Sequence, residues 1–272
     1  MTLYLANPDI PWRATARAQS VTYDVLNNIG NVVHGERYLV STATPASGGA
    51  ITTEWDLGSS TTSTIDYLII ARAKDLREQG TSSITLDSST TGLGGAYTNR
   101  YTDAAFQTAT LYGPNSNDYL ATGLALSAFR CWRFGILGGP ADALTPRTIC
   151  KLYFGNAFDF GIAPASFNFK RDVLESSNFE TSSGASDLQR MRDPIYTFNY
   201  TFEGMTDAKI ASFYDTILRY SHRHRYFLYT ATANHEVLNN LRVLHCKLIS
   251  HSHDQIKQNW NLLSLTFEQV LG

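Results

Sequence analysis

Alternation of apolar and polar side chains, the period of a half-buried strand, dominates this chain. It runs through Ser20-Val21-Thr22-Tyr23-Asp24-Val25 and Arg37-Tyr38-Leu39-Val40, then through Ala50–Gly58, where a glycine turn ends it. Thr64–Arg72 is more continuously apolar and β-branched, which predicts a central strand buried on both faces. Ser83–Leu86 and Phe106–Tyr112 are further strand candidates. Phe129–Leu137 alternates with Trp132, Phe134 and Ile136 on one face, and Gly138-Gly139-Pro140 breaks it. Residues 87–100 are rich in turn formers and predict a mobile surface loop. Short strands at short spacing, without a helical period between them, point to a sandwich or jelly roll.

After Cys150 the pattern changes. Lys151–Gly155, Ala157–Gly161, Ser166–Lys170 and Ile195–Phe202 are aromatic strands, the last with Tyr196, Phe198, Tyr200 and Phe202 on one face. The Ser-rich stretch Glu175–Arg192 between them predicts an extended loop. A single helix is expected near 206–220. Thr206 or Asp207 can cap it, and Ile210, Phe213, Tyr214, Ile217 and Leu218 form one apolar stripe suited to the aromatic strand face. Tyr226–Tyr229, Leu241–Leu248 and Trp260–Glu268 complete a β pattern. The expected fold class is therefore mainly β, in two domains, 1–148 and 149–272.

Composition sharpens this picture. The 272 residues include 12% aromatics but only 17% charged residues, with a net charge of −2. Low charge suits a protein that faces other proteins, because charge is depleted from interface cores. Nothing in the balance attracts a phosphate backbone, so no nucleic acid is expected as partner. No stretch approaches the roughly 20 apolar residues of a membrane span, and no signal-peptide core is present, so neither membrane insertion nor export by a leader is expected. Cys131, Cys150 and Cys246 are an odd, unpaired set, expected to be buried reduced thiols of a protein folded in cytoplasm.

Candidate chemistry is thin. His222/His224 and His251/His253 are spaced i, i+2, which on a strand puts both imidazoles on one face and could suit a zinc or nickel ion. They lack any further ligand frame, and Arg223 and Arg225 flank the first pair. Both pairs therefore read as polar strand and turn residues, with no metal and no cofactor. No Gly-x-Ser-x-Gly elbow is present. Glu54 and Asp56 flank Trp55 and read as a solvated strand edge rather than an acid/base pair. Gly92-Leu93-Gly94-Gly95 lacks the lysine of a phosphate loop. No catalytic residue is assigned, and the chain is expected not to be an enzyme. Tyr97, Tyr101 and Tyr119, in or near loops, are the candidates for exposed ligand contact.

Two stretches resemble known families. Asn7-Pro8, Pro11-Trp12-Arg13, and Glu54-Trp55-Asp56-Leu57-Gly58 followed by Ile65–Ala71 resemble the discoidin or galactose-binding-like jelly roll, over about residues 1–145. Residues 150–272 resemble the hub domains of long-tailed bacteriophage distal and minor tail proteins. The likeness lies in element order: Lys151–Gly155 as entry strand, the Ser-rich loop with Ser183-Gly184 and Arg190 or Arg192, an aromatic strand, one helix, Arg225–Tyr229, and a closing strand ending Phe267-Glu268. That resemblance implies a β-barrel with one helix and a virion structural protein, synthesised in the bacterial cytoplasm. Its subunits would form a ring, hexameric in the family, joining tail tube to tail tip. Other tail proteins would be its partners, with host surface glycan a further candidate. Glu175, Phe179, Ser183, Arg190 and Arg192 are the candidate assembly contacts. The alternative is a carbohydrate-binding module protein that recognises cell-surface glycans. A glycan hydrolase would need two carboxylates roughly 5–10 Å apart in one cleft, for which the sequence offers no support.

Overall fold

The computed structural model describes residues 3–6, 11, 13–19, 41–43, 50–113, 117–138, 147–172, 195–218, 226–230 and 242–269. In chain order the strands of the first part are β1 (Leu3–Ala6), β2 (Ala16–Gln19), β3 (Ser41–Ala43), β4 (Ala50–Asp56) and β5 (Ser63–Ala71). Helix α1 (Ala73–Glu78) follows, then β6 (Thr81–Ser89), β7 (Thr98–Asp103), β8 (Leu111–Tyr112), β9 (Asp118–Phe129), β10 (Cys131–Gly138), β11 (Arg147–Ile149) and β12 (Lys151–Gly155). The remainder comprises β13 (Phe158–Asp159), β14 (Ser166–Asp172), β15 (Ile195–Met205), α2 (Asp207–Thr216), β16 (Tyr226–Thr230), β17 (Val243–Lys257) and β18 (Trp260–Gln269). The protein is mainly β.

A five-stranded sheet, β2-β4-β10-β6-β7, faces a four-stranded sheet, β12-β5-β9-β8, and all their ladders are antiparallel. The core between them takes one side of every long strand. Ile51 and Trp55 come from β4, Ile84 and Leu86 from β6, and Trp132, Phe134 and Ile136 from β10; Leu68, Ile70, Leu152 and Phe154 come from the opposite sheet. Trp55 meets Phe154 edge to face at 5.2 Å, and the Trp132 indole N–H donates to the Ser63 carbonyl at 3.0 Å. The two sheets thus form an antiparallel β-sandwich around one core.

Strand β5 is buried on both faces, as its composition predicts. Leu68 and Ile70 enter the sandwich core. Tyr67, Ile69 and Ala71 pack the other way, with Ala6, Tyr229 and Val243, against the second part of the chain. That second part is a seven-stranded sheet ordered β13-β1-β16-β17-β18-β15-β14. Its face carries Tyr196, Phe198, Tyr200 and Phe202, all buried on one side of β15. Helix α2 shares that core through Ile210 and Phe213, and Phe213 meets Phe158 at 5.6 Å. Phe160 stacks on Phe202 beside it, at 4.2 Å. Thr206 caps α2 by accepting the Lys209 N–H.

Several expectations need correction. The described ladders form an open strand order and do not close into a barrel. Lys151–Gly155, read as the entry strand of the second domain, pairs with β5 and completes the sandwich. Conversely β1, assigned to the first domain, lies between β13 and β16 in the second sheet. The sandwich is therefore inserted between the first two strands of the other unit, and the boundaries 1–148 and 149–272 cut across both. Pairing is non-local, so no composition shift marks it. Residues 87–100 do not form one loop, since β6 runs to Ser89 and β7 begins at Thr98. In Phe106–Tyr112 only Leu111–Tyr112 is strand, and Phe106 sits in a turn with its ring buried in the core. Tyr214, placed in the apolar stripe of the helix, is 39% exposed. The three cysteines are buried, and no disulfide links them.

Candidate functional site

The outer face of the five-stranded sheet carries interlocked charges. Alternation along β4 turns Trp55 inward, so Glu54 and Asp56 point outward; register then sets Glu54 opposite Arg133 on β10 and Arg133 opposite Asp87 on β6. Arg133 bonds Asp87 through Nε and Nη2, both at 2.9 Å, and its guanidinium lies 4.4 Å over the Tyr97 ring. Tyr97 donates to Glu54 at 3.0 Å, and the Gly94 N–H donates to the same carboxylate. Arg130 grips both oxygens of Asp56 at 2.8 and 2.7 Å. The Asp56 carboxyl is thereby held at about 2, chiefly by the Arg130 hydrogen bond. Burial pushes the neighbouring Cys131 thiol up to about 11, so it stays protonated near neutrality.

Glu54 and Asp56 therefore do not form a solvated strand edge. β4 is a central strand, and their side chains are only 13% and 9% exposed beneath arginines. Each carboxylate already has charged and hydrogen-bonding partners, which suits a rigid face and not a poised acid or base. From the stretch between β6 and β7, Gly94 and Tyr97 reach Glu54.

The tyrosine candidates are engaged in the same way. Tyr119 is 3% exposed; its hydroxyl pairs with that of Tyr101 at 2.6 Å and donates to Asp103 at 2.7 Å. Burial raises the Tyr97, Tyr101 and Tyr119 hydroxyls above their ordinary value. Tyr97 is half-buried between Arg133 and Glu54. The three do not assemble into an exposed aromatic platform. What the sandwich does expose is its edge strand β7, where Thr98, Asn99, Arg100 and Thr102 face solvent.

In the second unit, β17 and β18 form a long hairpin whose outer half is exposed. Ile249, Ile256 and Trp260 are 49%, 61% and 40% exposed there. His251 and His253 flank Tyr214, each ring 6.1 Å from it. His253 Nε2 is 2.9 Å from Asn261 Oδ1, while the Asn261 amide donates to Met205 O and Asp207 Oδ1. This pair thus joins hairpin to helix, and among the described residues no three His, Cys, Asp or Glu gather as a metal would require. His222 and His224 lie outside the described residues, as do Glu175, Phe179, Ser183, Arg190 and Arg192.

No family model matches the chain. No curated protein matches it either. Among solved structures it is similar to the family 32 carbohydrate-binding module of AlyQ, solved in complex with 4,5-unsaturated mannuronic acid. That match has 17% identity and a TM-score of 0.36, covering 52% of this chain and 94% of that one. It is similar also to a family 32 module from a family 31 glycoside hydrolase of Clostridium perfringens, at 12% identity and a TM-score of 0.38, covering 54% and 93%. A third is the family 32 module of C. perfringens NanJ in complex with galactose, at 7% identity and a TM-score of 0.40, covering 56% and 99%.

Proposed function

We propose that this chain is a non-catalytic structural component of a phage tail tip, with the inserted sandwich as its recognition module. The seven-stranded unit would build a ring, hexameric by analogy, that connects the tail tube to the tip and receptor-binding apparatus. The observation that carries this reading is the division of labour in the topology. The host sheet keeps its own core and first strand while the sandwich is looped out between β1 and β13. The host unit also exposes the apolar side chains of Ile249, Ile256 and Trp260 on a protruding hairpin. Cyclic assembly needs two different patches per subunit, and such a hairpin is a natural half of that contact. Engagement of the sandwich carboxylates by arginines and a tyrosine supports a non-enzymatic role.

Light scattering of the full chain across a concentration series, followed by gold labelling of virions, tests the proposal. An oligomer with ring-shaped particles, or label at the tail tip, is the expected result. A monomer at every concentration together with label absent from virions rejects it.

A second reading places function in the sandwich alone, as a binder of cell-surface glycans. The solvent-facing polar residues of β7 favour it, Thr98, Asn99, Arg100 and Thr102, although Asn99 and Arg100 also bond Asp87 and Ser88 within the sandwich. A glycan array probed with the full chain separates the readings: saturable binding that is lost on Arg100→Ala favours the second.

A further inference from the structure

Where the sandwich meets the second sheet, a cleft of about 320 Å³ opens, lined by Tyr4, Asp66, Thr122, Gly123, Asp159 and Tyr229 among others. Strands of both units contribute to it. Asp66 comes from β5, Thr122 and Gly123 from β9, Tyr4 from β1, Asp159 from β13 and Tyr229 from β16. Gly123 has φ 68° and nothing within 4 Å of where a Cβ would stand, so the missing side chain helps keep the cleft open. Tyr4 and Tyr229 stack at 5.2 Å with an interplanar angle of 13°.

The charge of this lining is uniform in sign. Asp66 is exposed and Asp159 half-buried, and among the described residues neither is paired with a lysine or arginine. Asp159 accepts the Gly161 N–H, at 2.8 Å. Lys209, which comes near this turn, sits over the Phe158 ring instead. Tyr229 is 3% exposed, lines the cleft, and its hydroxyl has no hydrogen-bond partner among the described residues. Its ring is buried while its hydroxyl is not among the fully buried, unpartnered atoms, so that hydroxyl stays open to an occupant of the cleft. Both carboxylates also act on Tyr4 and Tyr229, raising them further beyond the effect of burial, so all four groups share one electrostatic neighbourhood.

We propose that this junction cleft binds an organic cation, a guanidinium or ammonium group, between Asp66, Asp159 and the Tyr4/Tyr229 pair. Two uncompensated carboxylates attract positive charge, and aromatic faces and edges tolerate a planar or alkylated cation better than a hydrated metal ion. Size agrees. The cleft, at about 320 Å³, is far larger than a single bound ion needs. Carboxylates can take a guanidinium by paired N–H donors, while the Tyr229 hydroxyl supplies a further acceptor. Because the walls belong to both units, an occupant would also couple sandwich to sheet. Such binding is independent of ring assembly.

Calorimetric titration of the full chain with arginine amide, at low and moderate salt, is the test. Saturable binding is expected, weakened at least about tenfold by Asp66→Asn and again by Tyr229→Phe, which keeps the ring in place; thermal unfolding of both variants should match the parent. A capped tripeptide with a central arginine distinguishes the source. Tighter binding than arginine amide marks a partner's side chain, and equal binding marks a small free cation; either supports the proposal. It is overturned if arginine amide fails to saturate, if the double variant binds as tightly as the parent, or if calcium chloride or galactose saturates the cleft while arginine amide does not.

Discussion

Asp56 shows how much a single side chain contributes once register has set its neighbours. Arg130 reaches both its oxygens and the Gly58 N–H donates to it at 2.8 Å, so the charged form is favoured in the folded protein. Its folded value is depressed from 3.8 to about 2, so the associated stability is fully present above about 4 and is lost as pH falls toward 2. Asp56→Asn should destabilise the fold at neutral pH by on the order of 1 kcal/mol, because the partly exposed Arg130 is screened by solvent and the full shift is not realised as stability. The difference between variant and parent should shrink between pH 4 and 2 in urea unfolding followed by tryptophan fluorescence. A constant difference across that window would show that the cost comes from packing. Asp56 is legible in the sequence as an outward residue of a strand, because alternation with Trp55 sets its side. Its arginine partner is not, because Arg130 lies 74 positions away.

Among the elements, the β17–β18 hairpin is the most informative. Its inner half is tied into the sheet by β16 and β15, and its outer half projects with breaks of register at Leu248/Ser250 and Gln255/Lys257. The turn is stitched to α2 reciprocally: Asp207 N–H donates to Asn259 Oδ1, and Asn259 N–H donates to Asp207 Oδ2, each at 3.1 Å. Gly204, at φ 90° in a bulge of β15, lets the Trp260 ring approach to 3.4 Å of where a Cβ would stand, which fixes the hairpin against β15. The exposed Ile256 can change without disturbing this frame. Ile256→Asp should leave the unfolding free energy within about 0.5 kcal/mol of the parent, as surface substitutions do. It should also abolish any self-association seen by light scattering; unchanged association would remove the hairpin from the interface. The aromatic face of β15 and the stripe of α2 are both visible in the sequence, as periods of 2 and 3.6. β9 is not, since Gly123 and Ala125, both at positive φ, interrupt the alternation of Leu120, Leu124 and Leu126. Helix α1 is equally hidden, being too short for a recognisable stripe.

For the whole molecule, β1 decides the architecture. Leu5 is fully buried in the second core while its strand pairs with β13 on one side and β16 on the other. Leu5→Ala should destabilise by roughly 2–5 kcal/mol, the range for truncating a buried leucine. Hydrogen exchange should show where: protection should fall in β16, β17 and β18 and persist in β4, β6 and β10. Equal loss throughout would mean that the two units unfold as one. Either outcome measures the coupling carried by Tyr67, Ile69 and Tyr153 against Tyr229 and Val243.

Local patterns along the chain suffice for the class of structure, because strand period, aromatic content and glycine turns act over a few residues. They also suffice for which side of β4, β10 and β15 is apolar, and for where α2 begins, since Thr206 needs only a backbone N–H three residues on. The pairing partners come from folding alone. Antiparallel ladders join residues far apart in the chain, so neither the place of β1, the membership of β12, nor the meeting of Tyr4, Asp66, Asp159 and Tyr229 leaves a local signature. Each is set by which sheets bury which faces, a property of the folded whole.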